Sequence, residues 1–154
     1  MPRISQHCIA FLIAVLCVIP ALATGADSPQ QATIRKILMA TYDSPQTPLQ
    51  VDPIVIVSDR ALAGWTQGHL GGVAMLTLSK DNGWHLSLCA NESIENSENL
   101  ILTGMTPSDA RQMSKQFSDT ERSISPDRRA LFNTFGTTVY MDDAEKESEV
   151  SELH

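Results

Sequence analysis

Residues 54–89, IVIVSDRALAGWTQGHLGGVAMLTLSKDNGWHLSLC, decide the fold class. IVIV is β-branched and apolar, Ser58-Asp59-Arg60 reads as a turn, and ALAGWTQ, VAMLTLS and WHLSLC each fit a further strand. Within KDNG, the pair Asn82-Gly83 is a strong hairpin signal. Four strands joined by short connections predict an antiparallel meander, because parallel neighbours need long crossovers. In WHLSLC the period-two rule sends Trp84, Leu86 and Leu88 to a core face and His85, Ser87 and Cys89 to the opposite one.

On the N-terminal side, QQATIRKILMATYD places Ile34, Ile37, Leu38 and Thr41 at helical spacing, giving one apolar stripe on a polar helix. The stretch DSPQTPLQVDP follows, with Pro45, Pro48 and Pro53. Prolines remove backbone donors and push the preceding residue to extended conformations, so this stretch reads as a rigid connector. On the C-terminal side, Thr106-Pro107-Ser108-Asp109 carries an N-cap, a proline at the first helical position and an acid at the third. It predicts a helix bearing Ala110, Met113, Phe117 and Ile124. Ser125-Pro126-Asp127 repeats the signal for a shorter helix through Leu131 and Phe132, stopped near Gly136. TTVYM fits a fifth strand, and DDAEKESEVSELH has the charge and low apolar content of a disordered tail over residues 142–154.

The opening stretch MPRISQHCIAFLIAVLCVIPALATGAD has the anatomy of a secretory signal peptide, with Arg3, an apolar run and small residues at Ala21 to Ala23. At about 1.5 Å of rise per residue, the run Ile9 to Ile19 covers about half of a ~30 Å hydrocarbon core, too short for a stable span. Cleavage is expected after Ala23, with Ala26 as the alternative, leaving a single domain over residues 30–141 and a periplasmic location. Cys8 and Cys17 leave with the leader, so Cys89 remains alone and no internal disulfide can hold the mature fold. The formal net charge of −7 argues against nucleic acid or an anionic membrane as partner.

Gly64 to Gly72, GWTQGHLGG, packs one tryptophan, one histidine and four glycines between two strands. The glycines suit a hairpin, and a tryptophan alternating with Ala61 and Ala63 suits a core or cleft face. As a binding loop, the stretch offers Trp65, Gln67, His69, Gly71 and Gly72. A transition-metal site needs several N, S or O donors converging on one ion. The candidates are His69, accessible between glycines, His85 and Cys89, while His154 reads as a solvated terminus. If His85 and Cys89 share a strand face they lie about 13 Å apart, too far to grip one ion. His85 could instead pair with a residue on the neighbouring strand, at about 4.5–5.5 Å. Met39, Met75, Met105, Met113 and Met141 form no M-x-x-M cluster and read as core. Neither a G-x-S-x-G, a Walker loop nor a G-x-G-x-x-G follows a strand. Asn91-Glu92-Ser93 fits a glycosylation sequon, relevant in a eukaryotic secretory pathway.

Val51-Asp52-Pro53, Gly64-Trp65-Thr66-Gln67-Gly68, Gly71-Gly72 and Leu88-Cys89, with the SPDRRALFNTFG segment, resemble a small family of bacterial exported proteins described as copper uptake system-associated. The likeness spans roughly Ile34 to Met141. It implies a periplasmic role near copper acquisition, beside a copper chaperone or uptake component, with copper as the associated metal.

The expected fold is therefore α+β, with an antiparallel sheet of four to five strands packed on one face by helices. The cystatin-like arrangement, a long helix across a curved sheet, is one candidate form. The expected function is that of a non-enzymatic accessory to copper uptake or handling, acting by weak metal binding or by protein–protein interaction. A metal-independent interaction or inhibitor-like module and a small-molecule cleft enzyme of the α+β cone type are the alternatives.

Overall fold

The computed structural model describes residues 26–141. The expected leader and acidic tail lie outside the described residues. Helix α1, Pro29–Tyr42, begins with a reciprocal cap in which the Ser28 hydroxyl accepts from the Gln31 backbone N–H and the Gln31 side chain accepts from the Ser28 N–H. Four long strands follow: β1 (Leu49–Val57), β2 (Arg60–Gln67), β3 (Leu70–Ser79) and β4 (Gly83–Ala90). A two-residue strand β5, Val139–Tyr140, completes a five-stranded sheet in the order β1-β2-β3-β4-β5, every pair antiparallel. The predicted meander is thus present, with Gly83 at φ +71° closing the KDNG hairpin and Gly68 at φ +60° turning β2 into β3.

Two expectations give way. Strand β1 starts at Leu49, so the proline connector is shorter than its composition suggested; Pro53 lies within the strand, at a register break between Val51 and Ile54. Because β1 is an edge strand, a missing N–H at a bulge leaves no ladder bond unmade. Helix α3, Pro107–Glu121, carries Ala110, Met113 and Phe117 fully buried, but it ends before Ile124. In addition, residues 92–102 form a 3₁₀ turn at Glu92–Glu95 and helix α2 at Ser97–Leu102, capped by Asn91 and Asn96 respectively. A short helix α4, Pro126–Leu131, stands where Ser125-Pro126-Asp127 placed it.

The one-face expectation gives way as well, since helices cover both faces. On one face α1 seats Ile34 and Leu38 on Val51, Ile54, Ala61, Ala63, Ala74, Leu76 and Cys89. On the other, α2 and α3 seat Leu100, Met113 and Phe117 on Val55, Val57, Leu62, Val73, Met75 and Leu88. Consecutive positions Leu62 and Ala63, and Val73 to Leu76, are all buried, as expected of strands covered on two sides.

The strict alternation predicted for WHLSLC is broken by a bulge. Met75 faces Leu88 and Leu76 faces Leu86, so Ser87 is an extra residue in β4, its hydroxyl 2.7 Å from that of Thr77. Leu88 therefore joins the α3 side, whereas Trp84, Leu86 and Cys89 share the α1 side.

Three glycines of GWTQGHLGG, Gly64, Gly71 and Gly72, mark close approaches. A Cβ at Gly64 would lie 2.6 Å from the Phe132 ring and 2.8 Å from the Asp52 carbonyl oxygen, and one at Gly72 would lie 2.5 Å from the Ala90 carbonyl oxygen. Gly72→Ala is expected to destabilise the fold by about 1–3 kcal/mol through overpacking against backbone. Gly136→Ala, whose new methyl would have nothing within 4 Å, serves as the neutral comparison in urea denaturation.

Candidate functional site

The last turn of α1 carries Leu38 and Tyr42 over the sheet, and the chain then turns at Asp43 to enter β1 at Leu49. The Asp43 carboxylate fixes that entry by accepting from the Leu49 N–H at 2.8 Å. Gln67, near the end of β2, donates through Nε2 to the carbonyls of Tyr42, at 2.7 Å, and Thr47, at 2.8 Å. One side chain thus ties the end of α1 to the connector. Beneath it lies a cavity of about 170 Å³ lined by Leu38, Tyr42, Leu49, Trp65, Gln67, Cys89, Phe135, Val139 and Met141.

The C-terminal segment closes this cavity from the side. Strand β4 stops at Ala90, opposite Val73, and the place beside the start of β3 is taken by residues 134–135. Phe135 N–H donates to the Gly71 carbonyl and Gly71 N–H donates to the Thr134 hydroxyl. Phe135 meets Trp65 edge to face, with ring centroids 5.4 Å apart. The chain then adds β5 along β4, pairing Val139 with Cys89.

Leu38, Leu49 and Cys89 are 2%, 6% and 7% exposed and form the floor, whereas Tyr42 and Val139, at 40% and 41%, flank the mouth. Burial pushes the Cys89 thiol up to about 11. Burial, with Cys89 beside it, also raises the Tyr42 hydroxyl above its ordinary value. Both groups are held in their neutral forms at physiological pH. The Trp65 indole N–H is buried without an acceptor, a cost of about 1–3 kcal/mol for an unmade hydrogen bond.

Of the loop residues singled out in the sequence, Trp65 and Gln67 line this cavity. Gly71 and Gly72 instead admit the C-terminal segment and the Ala90 carbonyl. His69 is exposed in the turn between β2 and β3. Cys89 lies opposite Ala74, and the four strand steps from Leu70 to Ala74 put the turn about 13 Å from that level. His85 faces away from Cys89, because the bulge at Ser87 separates them. The structure therefore does not bring His69, His85 and Cys89 together, and among the described residues no three His, Cys, Asp or Glu side chains converge on a metal-sized site. Two sulfur-bearing residues, Cys89 and Met141, are instead both among the residues that line the cavity. Tyr42, Phe135, Val139 and Met141 carried no local signal for this role, since they meet Cys89 only after the chain has folded back on itself.

A polar strap holds β1 on the opposite edge. Asp52 accepts from Arg35 of α1 at 2.9 Å and lies 3.7 Å from an Arg128 nitrogen, and Arg128 also donates to the buried Thr66 hydroxyl at 3.0 Å. Arg35 further donates to the Val51 carbonyl and to Asp27. This network uses Val51, Asp52 and Thr66 structurally.

Among the described residues no helix is long and apolar enough to cross a membrane. Comparison with known family models, curated proteins and solved structures finds no match to this chain.

Away from the cavity, half-buried Glu95 sits near Glu121 and Glu92. Burial first, then these two carboxylates, push its pKa up to about 7 from 4.5. A folded state that binds this proton more tightly than the unfolded chain is most stable below pH 4.5 and loses that increment as pH rises toward 7. Glu95→Gln is expected to flatten the fall in thermal midpoint across that window. An unchanged slope would exclude Glu95 as its source.

Proposed function

We propose that this chain is a non-enzymatic accessory protein of copper uptake or handling in the periplasm, and that it works by binding at the cavity below the end of α1. The observation that carries this reading is that a thiol, Cys89, and a thioether, Met141, both line one apolar cavity. Soft sulfur donors suit Cu(I), which accepts low coordination numbers, and an apolar surround keeps water from the ion. The cavity's titratable groups, Tyr42 and Cys89, are both pushed toward neutrality, which suits holding a ligand better than moving protons.

The raised thiol pKa makes such binding weak near neutrality, since the metal must displace a tightly held proton. A copper chaperone or uptake component would meet the protein at the mouth, beside Tyr42 and Val139, exposed at 40% and 41%.

Titration of the purified protein with Cu(I) under reducing conditions, against a chelator of known affinity, tests the proposal. One ion is expected to bind, with affinity rising about tenfold per pH unit between pH 6 and 8 because one thiol proton is released. Cys89→Ser is expected to weaken binding at least tenfold and Met141→Leu by less, while His69→Ala and His85→Ala leave it unchanged. Unaltered binding in Cys89→Ser would remove the cavity as the copper site.

A further inference from the structure

The same cavity has a size and a lining that select a guest of a different kind. Its volume, about 170 Å³, is close to that of apolar cavities of about 150 Å³ that stay dry and take up benzene. Its walls are Leu38, Leu49, Trp65, Cys89, Phe135 and Met141, with Tyr42 and Val139 at the rim and no Lys, Arg, His, Asp or Glu among the lining residues. We propose that the cavity is a binding site for a neutral hydrophobic molecule of single-ring size, an alkylbenzene or its near equivalent. This rests on the reading of the cavity as the working site, and it is independent of whether copper binds there.

Charge is the first selector. A carboxylate or ammonium moved into this cavity would lose its hydration and find no ion-pair partner among the lining residues. The two groups able to ionise nearby do not help, since the thiol and the phenol both stay neutral at physiological pH. Shape is the second. Trp65 and Phe135, set edge to face with an interplanar angle of 78°, present a ring face and a ring edge at right angles, a corner that a third ring can enter in either of the favoured aromatic geometries. The sulfurs of Cys89 and Met141 add polarizable contacts to a ring. Access is the third: the floor is closed, and the half-exposed Tyr42 and Val139 stand at the opening.

Two further features fix what the guest leaves unused. Gln67 spends its amide N–H groups on the Tyr42 and Thr47 carbonyls. The Trp65 indole N–H is buried from solvent as well as unpaired. Neither of these N–H donors is free for a guest, so recognition rests on apolar contact with the lining.

The experiment compares toluene with benzoate, which share a ring and differ in charge, on the purified protein. Two readouts are followed: the rate of iodoacetamide alkylation at Cys89, assigned by peptide mass, and the thermal midpoint. Saturating toluene is expected to slow Cys89 alkylation at least fivefold and to raise the midpoint, whereas benzoate changes the rate less than twofold. Cys89→Leu fills the floor and is expected to abolish the toluene shift; Val139→Trp, placed at the half-exposed mouth, gives the same loss without touching the core. Equal protection by toluene and benzoate, or a toluene shift that survives in both variants, would overturn the inference. Intact Cu(I) binding with no toluene effect overturns this inference alone. Toluene binding without Cu(I) binding supports it and removes the metal reading, and loss of both removes the cavity as the working site.

Discussion

A single extra residue in β4, Ser87, decides which side of the sheet the end of that strand serves. Without the bulge, Leu88 would lie with Trp84 and Leu86 under α1, and Cys89 would lie under α3. With it, Leu88 and Ala90 complete the core beneath α2 and α3, and Cys89 turns to the α1 side. A one-residue shift in a period-two structure exchanges every later side chain between faces. Both cores of this protein, and the floor of its cavity, depend on that exchange. The Thr77 and Ser87 hydroxyls, 2.7 Å apart, satisfy each other at the point of irregularity.

The second determinant is the set of close approaches concentrated in GWTQGHLGG. Gly64 receives the Phe132 ring, Gly71 bonds with Thr134 and Phe135, and Gly72 lies against the Ala90 carbonyl. Thr66 receives Arg128, and Gln67 holds the end of α1. This stretch is thus where the C-terminal segment and the first helix are fastened to the sheet. Gly64, Gly71 and Gly72 are there because backbone or side chains come too near for a Cβ, and Gly68, at φ +60°, makes the turn. The tryptophan and glutamine between them line the cavity, so the distinctive string both fastens the fold and forms part of the site.

Much of this was legible in the sequence wherever the signal is local. Thr106 to Asp109 and Ser125 to Asp127 each mark a helix start by chemistry confined to a few residues. KDNG marks a hairpin for the same reason. Helix α2 had a comparable signal, Asn96 ahead of Ser97-Glu98, beside the Asn91-Glu92-Ser93 sequence that reads equally as a sequon. The bulge had none, because WHLSLC alternates cleanly and only pairing with β3 shows the extra residue. Two-sided burial was written in the unbroken run Val73 to Leu76, while the alternation of β4 pointed to one side. The candidate site was legible only in Trp65, Gln67 and Cys89. Its other walls come from residues 38–49 and 135–141, and no linear pattern links these to Cys89.

The cavity has a physical origin in the mismatch between α1 and the sheet beneath it. Along most of its length α1 lies over small residues, Ala61, Ala63 and Ala74, and Ile34 and Leu38 fill the narrow space completely. At Tyr42 the helix ends and the chain swings away through Asp43 to β1. The sheet continues under the gap with Trp65 and Cys89, and Phe135 and Val139 wall it from the side. Closing the gap would take a longer side chain at position 89, where the protein carries a small thiol. A void of this kind forfeits dispersion contacts, at about 24 cal/mol per Å³ in comparable cores. A bound guest recovers those contacts, so occupancy and stability are linked. In a sheet already buried on both faces, this is the place where a ligand can improve the packing without moving the backbone.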